Sequence, residues 1–183
     1  MRVSLDGTVL ELPEVNNLAD LLDGLAPHVD PARDVTGLEV DGCPADPTDR
    51  VALAAWKLGG SEAIRVVSET PADFARSRRA AMGEHLRHVA VVMEAAAREL
   101  RGGDAPGGNR LLAIGSRDLG LLLELDRNLS LLDATAARCA AVVVALERCG
   151  EPLTAAGRAE RWDEVAALLE SELLPAIHAS ADA

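Results

Sequence analysis

Apolar positions follow two different periods along this chain. Through the first 70 residues they come in short alternating runs, and after Pro71 they recur every three or four residues. The runs Arg2-Val3-Ser4-Leu5 and Thr8-Val9-Leu10-Glu11-Leu12 flank Asp6-Gly7, a dipeptide suited to the tight type I′ turn of a hairpin. Asn16 or Asn17 then offers a helix cap for an apolar face of Leu18, Leu21, Leu22 and Leu25. Gly37-Leu38-Glu39-Val40 predicts a third strand and Asp41-Gly42 a second turn. After a Pro/Asp-rich loop, 51–56 reads as a connection, and Ala63-Ile64-Arg65-Val66-Val67 as the last strand. The order is hairpin, helix, strand, connection, strand.

Pro71 suits the first turn of a helix. Met82, Leu86, Val89, Met93, Ala96 and Leu100 then define one helical seam. A glycine-rich break covers 102–108, and a second seam follows through Leu122, Leu125, Leu129, Leu132, Ala136, Cys139, Val143 and Leu146. Gly150-Glu151-Pro152 reads as its stop, and Trp162, Ala166, Leu169, Leu173 and Ala176 as a third seam. Three long helices over 72–178 with short connections predict an antiparallel three-helix bundle. The second helix also carries Leu119, Leu121, Leu123 and Leu131, so leucine covers most of its circumference. A helix apolar on nearly all sides is expected to be covered on nearly all sides.

The pieces MRVSLDG, LADLLDGL, GLEVDGCPA and LGGSEAIRVV, in this order, resemble the β-grasp or ubiquitin-like fold, and most closely the small sulfur carriers of thiamin and molybdopterin synthesis. The resemblance covers roughly residues 1–70. It implies an α+β chain: a β-grasp domain over 1–70 and a helical bundle domain over 71–183. In those carriers the Gly-Gly pair is the reactive C-terminus. Here Gly59-Gly60 precedes the last strand and 123 residues follow it, so cleavage there would strip Ile64, Val66 and Val67 from the sheet. The pair is expected to be a turn needing positive φ. The helical half, with RWDEVAALLESELLPAI near its end, faintly resembles the small flagellar export chaperones through Leu/Ala spacing.

Composition narrows the function classes. The net charge is −12, with 13 acids against 5 bases in residues 1–70 and 17 against 13 thereafter. So acidic a chain repels phosphate backbones, and nucleic acid is not expected as a partner. Lys57 is the only lysine beside 17 arginines, a pattern of GC-rich coding. Phe74, Trp56 and Trp162 are the only aromatic residues of their class, so cores must be aliphatic. Cys43, Cys139 and Cys149 lack the spacing of a thiolate zinc site. The N-terminal stretch reads as a strand rather than a signal segment, and no run of about 18 uncharged apolar residues appears. A cytoplasmic protein without membrane partners is expected.

His85 and His88 share a helix and raise a metal-binding enzyme as one possibility, with Glu94, Glu124 or Glu170 as further ligands. A di-iron bundle needs a second Glu-x-x-His motif, which is missing here. Cys43 with His28 is the one nucleophile and base pair available to the N-terminal domain. The 102–108 loop is not followed by Lys-Ser/Thr and does not read as a phosphate loop. The leading expectation is a non-enzymatic protein-binding or adaptor module without cofactor. It is expected to be homodimeric, with Leu119, Leu121, Leu123 and Leu131 of the second bundle helix at the interface. The alternatives are a sulfur-carrier or ubiquitin-like modifier relative docking on an adenylating enzyme, and the metal-dependent bundle enzyme.

Overall fold

A computed structural model describes residues 1–134 and 137–183. The chain is mixed α+β: a five-stranded mixed sheet, then a series of helices. It divides into two compact units, Met1–Phe74 and Ala75–Ala183. Among the described residues, no helix is long and apolar enough to cross a membrane.

In the first unit, β1 (Arg2–Leu5) and β2 (Thr8–Leu10) form the expected hairpin. Asp6 and Gly7 both take positive φ, +51° and +84°, as a type I′ turn requires. Asp41 and Gly42 repeat the device at +51° and +80°, joining β3 (Asp34–Val40) to β4 (Cys43–Ala45). The order across the sheet is β2-β1-β5-β3-β4, where β5 is Ala63–Glu69. β5 runs parallel to β1 and antiparallel to β3. Helix α1 (Leu18–Leu25) starts where Asn17 accepts the Asp20 amide at 2.9 Å. Its Leu18, Leu21 and Leu25 pack with Leu53 onto Val3, Val40, Ile64 and Val66 in one core. Leu53 belongs to α2 (Arg50–Ala55), a short helix in the segment that reads from sequence as a plain connection. Asp49 caps it, accepting the Ala52 amide at 3.0 Å.

The glycine pair lies in the turn leading into β5, with Gly60 at φ +92°. The Glu62 carboxylate accepts the Gly60 amide at 2.9 Å, closing that turn.

The second unit departs from the expected three helices. Four helical rods are present among its described residues: α3 (Pro71–Arg101), α4 (Ala105–Leu129), α5 (Ala140–Arg158), and a composite of α6 (Trp162–Leu168), a π turn (Leu169–Leu173) and α7 (Leu174–Asp182). The seam expected to run unbroken from Leu122 to Leu146 is cut between 129 and 140; Ala136, one of its members, lies outside the described residues. The cut has a polar cause. Asp126, 3 % exposed, turns inward and accepts the amides of Arg138 at 3.2 Å and Cys139 at 2.9 Å, which anchors the chain just before α5. Ser130 donates its hydroxyl to the Asp126 carbonyl at 2.8 Å and closes α4.

The expected break over 102–108 holds in its first half, where α3 ends at Arg101 and Gly103 takes φ +87°, while the stop expected at Gly150-Glu151-Pro152 does not act. Ala105 to Gly108 begins α4, because Asp104 caps it at the Gly107 amide (2.9 Å) and Pro106 occupies its first turn. Pro152 sits inside α5, and the Thr154 hydroxyl returns to the Gly150 carbonyl at 2.8 Å. The π turn stands just before Pro175, whose missing amide removes a donor from the α-helical ladder.

Candidate functional site

Three contacts fix how the four rods meet. Gly108 and Gly115 of α4 let it lie tightly along α3: a Cβ at these glycines would come 2.6 Å from Leu100 and 3.0 Å from Met93. The other flank of α3 meets the composite rod, through Glu94–His178 at 3.1 Å and Arg101–Glu170 at 2.5 Å. Gly83 brings α3 against the Ala181 carbonyl, which a Cβ would approach to 2.8 Å. Helix α5 packs on α6, the π turn and α7. The side between α4 and α5 stays open.

That opening is an apolar groove of about 480 Å³. Its floor is the core of the unit itself, Met93, Val165, Leu169 and Leu173. Leu112, Ser116, Leu119 and Leu123 form the α4 wall at helical spacing, and Leu146, Leu153 and Thr154 stand on the α5 wall. Trp162 and Asn109 also line it. Not one of its sixteen lining residues is charged, in a chain where charged residues make up 26%.

Glycine interrupts both walls at Gly120, Gly150 and Gly157. Each sits within a helix, where glycine costs roughly 0.5–1 kcal/mol relative to alanine. Unlike Gly83, Gly108 and Gly115, none of the three has a neighbour within 4 Å of the position a Cβ would take. Packing within the chain does not call for them.

The four leucines expected at an interface separate into two pairs. Leu119 (3 % exposed) and Leu123 face the groove. Leu121 is 60 % exposed on the opposite flank of α4, in one stripe with Ile114 and Leu125 at i, i+7 and i+11. Leu131 is 84 % exposed but follows the end of α4, so it is not a helix-face residue as expected. Leu125 and Leu132, expected in the core seam, are exposed: Leu125 lies on the outer stripe of α4 with Leu121, and Leu132 follows the end of the helix. Sequence spacing overlooked the groove because Gly150-Glu151-Pro152 reads as a terminator; mid-helix glycines at 120, 150 and 157 were the available signal.

The other candidates are dispersed. His85 and His88 are exposed on α3, and no group of three His, Cys, Asp or Glu side chains among the described residues is placed to hold a metal ion. His28 and Cys43 are both exposed in the first unit. Cys139 is buried, and burial together with the nearby Asp126 charge pushes its thiol up to about 11, which keeps it un-ionised and unreactive. Burial and the Glu172 charge raise Cys149 as well. Elsewhere in the second unit, Arg79 and Asp126 form a buried ion pair at 3.4 Å, and Arg79 also reaches Ser130 Oγ at 3.1 Å, the Asp133 carbonyl at 3.0 Å and the Asp133 carboxylate at 3.4 Å. Set against family models, curated proteins and solved structures, the chain matches none of them.

Proposed function

We propose that this protein is a non-enzymatic protein-binding module of the cytoplasm, with a ubiquitin-like first unit and a helical second unit that self-associates through α4. The observation carrying this reading is the outer stripe of α4. Ile114, Leu121 and Leu125 are 39 %, 60 % and 40 % exposed, and Leu131 and Leu132 just beyond are 84 % and 47 % exposed. Apolar surface gathered in this way on one helix marks an interface. A two-fold partner would lay the same stripe against itself, as an isologous contact does. The β-grasp reading of the first unit draws support from the strand order and from the parallel pairing of β1 with β5 at the centre of the sheet.

Sedimentation velocity over a micromolar concentration series tests the self-association. The wild type is expected as a dimer and Leu121→Glu as a monomer with an unchanged helical circular-dichroism signal, because the glutamate would be buried without a partner charge. A wild type that stays monomeric at high micromolar concentration removes the dimer and leaves the stripe as a docking face for a different protein.

A further inference from the structure

We propose that the groove between α4 and α5 is a binding site for a single long aliphatic chain ending in an uncharged polar group, such as a long-chain alcohol or ester. The site is separate from the outer stripe of α4 and does not rest on it. Composition identifies the occupant. Asn109 to Leu123 spans fourteen residues of helix, about 21 Å, the length over which the α4 wall lines the groove. An extended peptide would bring two polar backbone groups per residue, each needing a partner. Asn109, Ser116 and Thr154 are the polar side chains among the lining residues, too few for a peptide and enough for one hydroxyl or ester. An alkyl chain makes no such demand.

Charge points the same way. The lining is uncharged throughout, so nothing within the groove complements a carboxylate or an ammonium group. The floor reaches core side chains, Met93 and Leu169 among them, which an inserted chain would touch over its length. Gly120, Gly150 and Gly157 widen both walls where no other part of the chain needs the space.

The test uses the full chain and the neutral fluorophore N-phenyl-1-naphthylamine. Its emission is expected to rise saturably on binding, and hexadecan-1-ol is expected to displace it. Gly120→Leu and Gly150→Leu, separately and together, direct a side chain into open space. The double variant is expected to weaken probe binding at least about tenfold while keeping its helical signal. In a Trp56→Phe background Trp162 is the sole tryptophan, and a bromo-alkan-1-ol is expected to quench it at the concentrations that displace the probe. This second readout needs no change in the groove. Absence of saturable binding, unchanged affinity in both glycine variants, or no quenching of Trp162 overturns the proposal. So does displacement by an amphipathic helical peptide where hexadecan-1-ol has no effect.

Discussion

Asp6 shows how much one side chain can hold in the first unit. Its backbone sits at φ +51°, in the hairpin turn, and its carboxylate accepts the Ser68 amide and hydroxyl, both at 2.7 Å. Arg33 stands 3.4 Å away and binds Ser68 as well, through its Nε at 3.0 Å and through a second bond to the Ser68 carbonyl. Burial alone would raise the Asp6 pKa, but the two Ser68 hydrogen bonds and the Arg33 charge outweigh it and bring the value below the usual carboxylate range. A depressed folded value means stability that is present above the unfolded pKa, about 3.9, and lost as pH falls through the folded value. Denaturant unfolding of the first unit between about pH 6 and pH 3 is therefore expected to lose stability on the acid side. Asp6→Asn, which also tolerates positive φ, should flatten that loss. An acid limb equally steep in the variant would assign the dependence to other carboxylates.

At the scale of elements, the buried Arg79–Asp126 pair holds together α3, α4 and the start of α5. The two side chains are 7 % and 4 % exposed. Asp126→Ala removes one of the two carboxylates beside Arg79 and the acceptor of the Arg138 and Cys139 amides, so it should cost about 3 kcal/mol in urea unfolding of the second unit, the Asp133 carboxylate at 3.4 Å still compensating Arg79. Arg79→Met combined with Asp126→Leu should recover part of that loss, since the Arg79–Asp126 contact is then between two apolar groups. A double variant no better than the single would mean that anchoring of the Arg138 and Cys139 amides, rather than charge, is what Asp126 supplies.

The same aspartate explains why the second unit was only partly legible in the sequence. Met82, Leu86, Val89, Met93, Ala96 and Leu100 were readable as one helix face, and all six are buried. From Leu122 to Leu146 the three-and-four spacing continued across a chain reversal, because Leu129 ends α4 on the core side and Cys139 begins α5 there. Periodicity cannot see a polar residue that turns inward to anchor the chain ahead of a later helix. In the first unit the turns were explicit, as Asp6-Gly7, Asp41-Gly42 and Gly60 take the positive φ that their residue types favour. Helix α2 was missed because six residues are too few to establish a period. Of the groove lining, the sequence marks Leu119 and Leu123 as interface residues and Met93, Leu146, Trp162, Leu169 and Leu173 as members of core seams, none of them as the wall of a cavity.

For the whole molecule, a net charge of −12 bears on the proposed dimer. Two such chains repel one another over distances comparable to the Debye length, about 10 Å at 0.1 M salt. Apolar contact through the α4 stripe does not weaken with added salt, whereas the repulsion does. The dimer dissociation constant is therefore expected to fall as salt is raised from low ionic strength toward about 0.15 M, which sedimentation equilibrium can measure. A dimer that loosens with salt would instead be held by ion pairs, such as contacts between arginines of one copy and the acidic surface of the other.

The π turn of the composite rod amounts to one surplus residue. Val165 and Ala166 upstream and Leu169 at its start face the core, and so do Leu173 at its end and Leu174, Ile177 and Ala181 downstream. A straight α-helix advances about 100° per residue, so these two sets would not share a face without the wider turn between them. A bundle of this plan built without the turn would be one residue shorter between Trp162 and Ile177. Aligned without a gap, the two chains would agree at one end of the rod and exchange core for surface at the other.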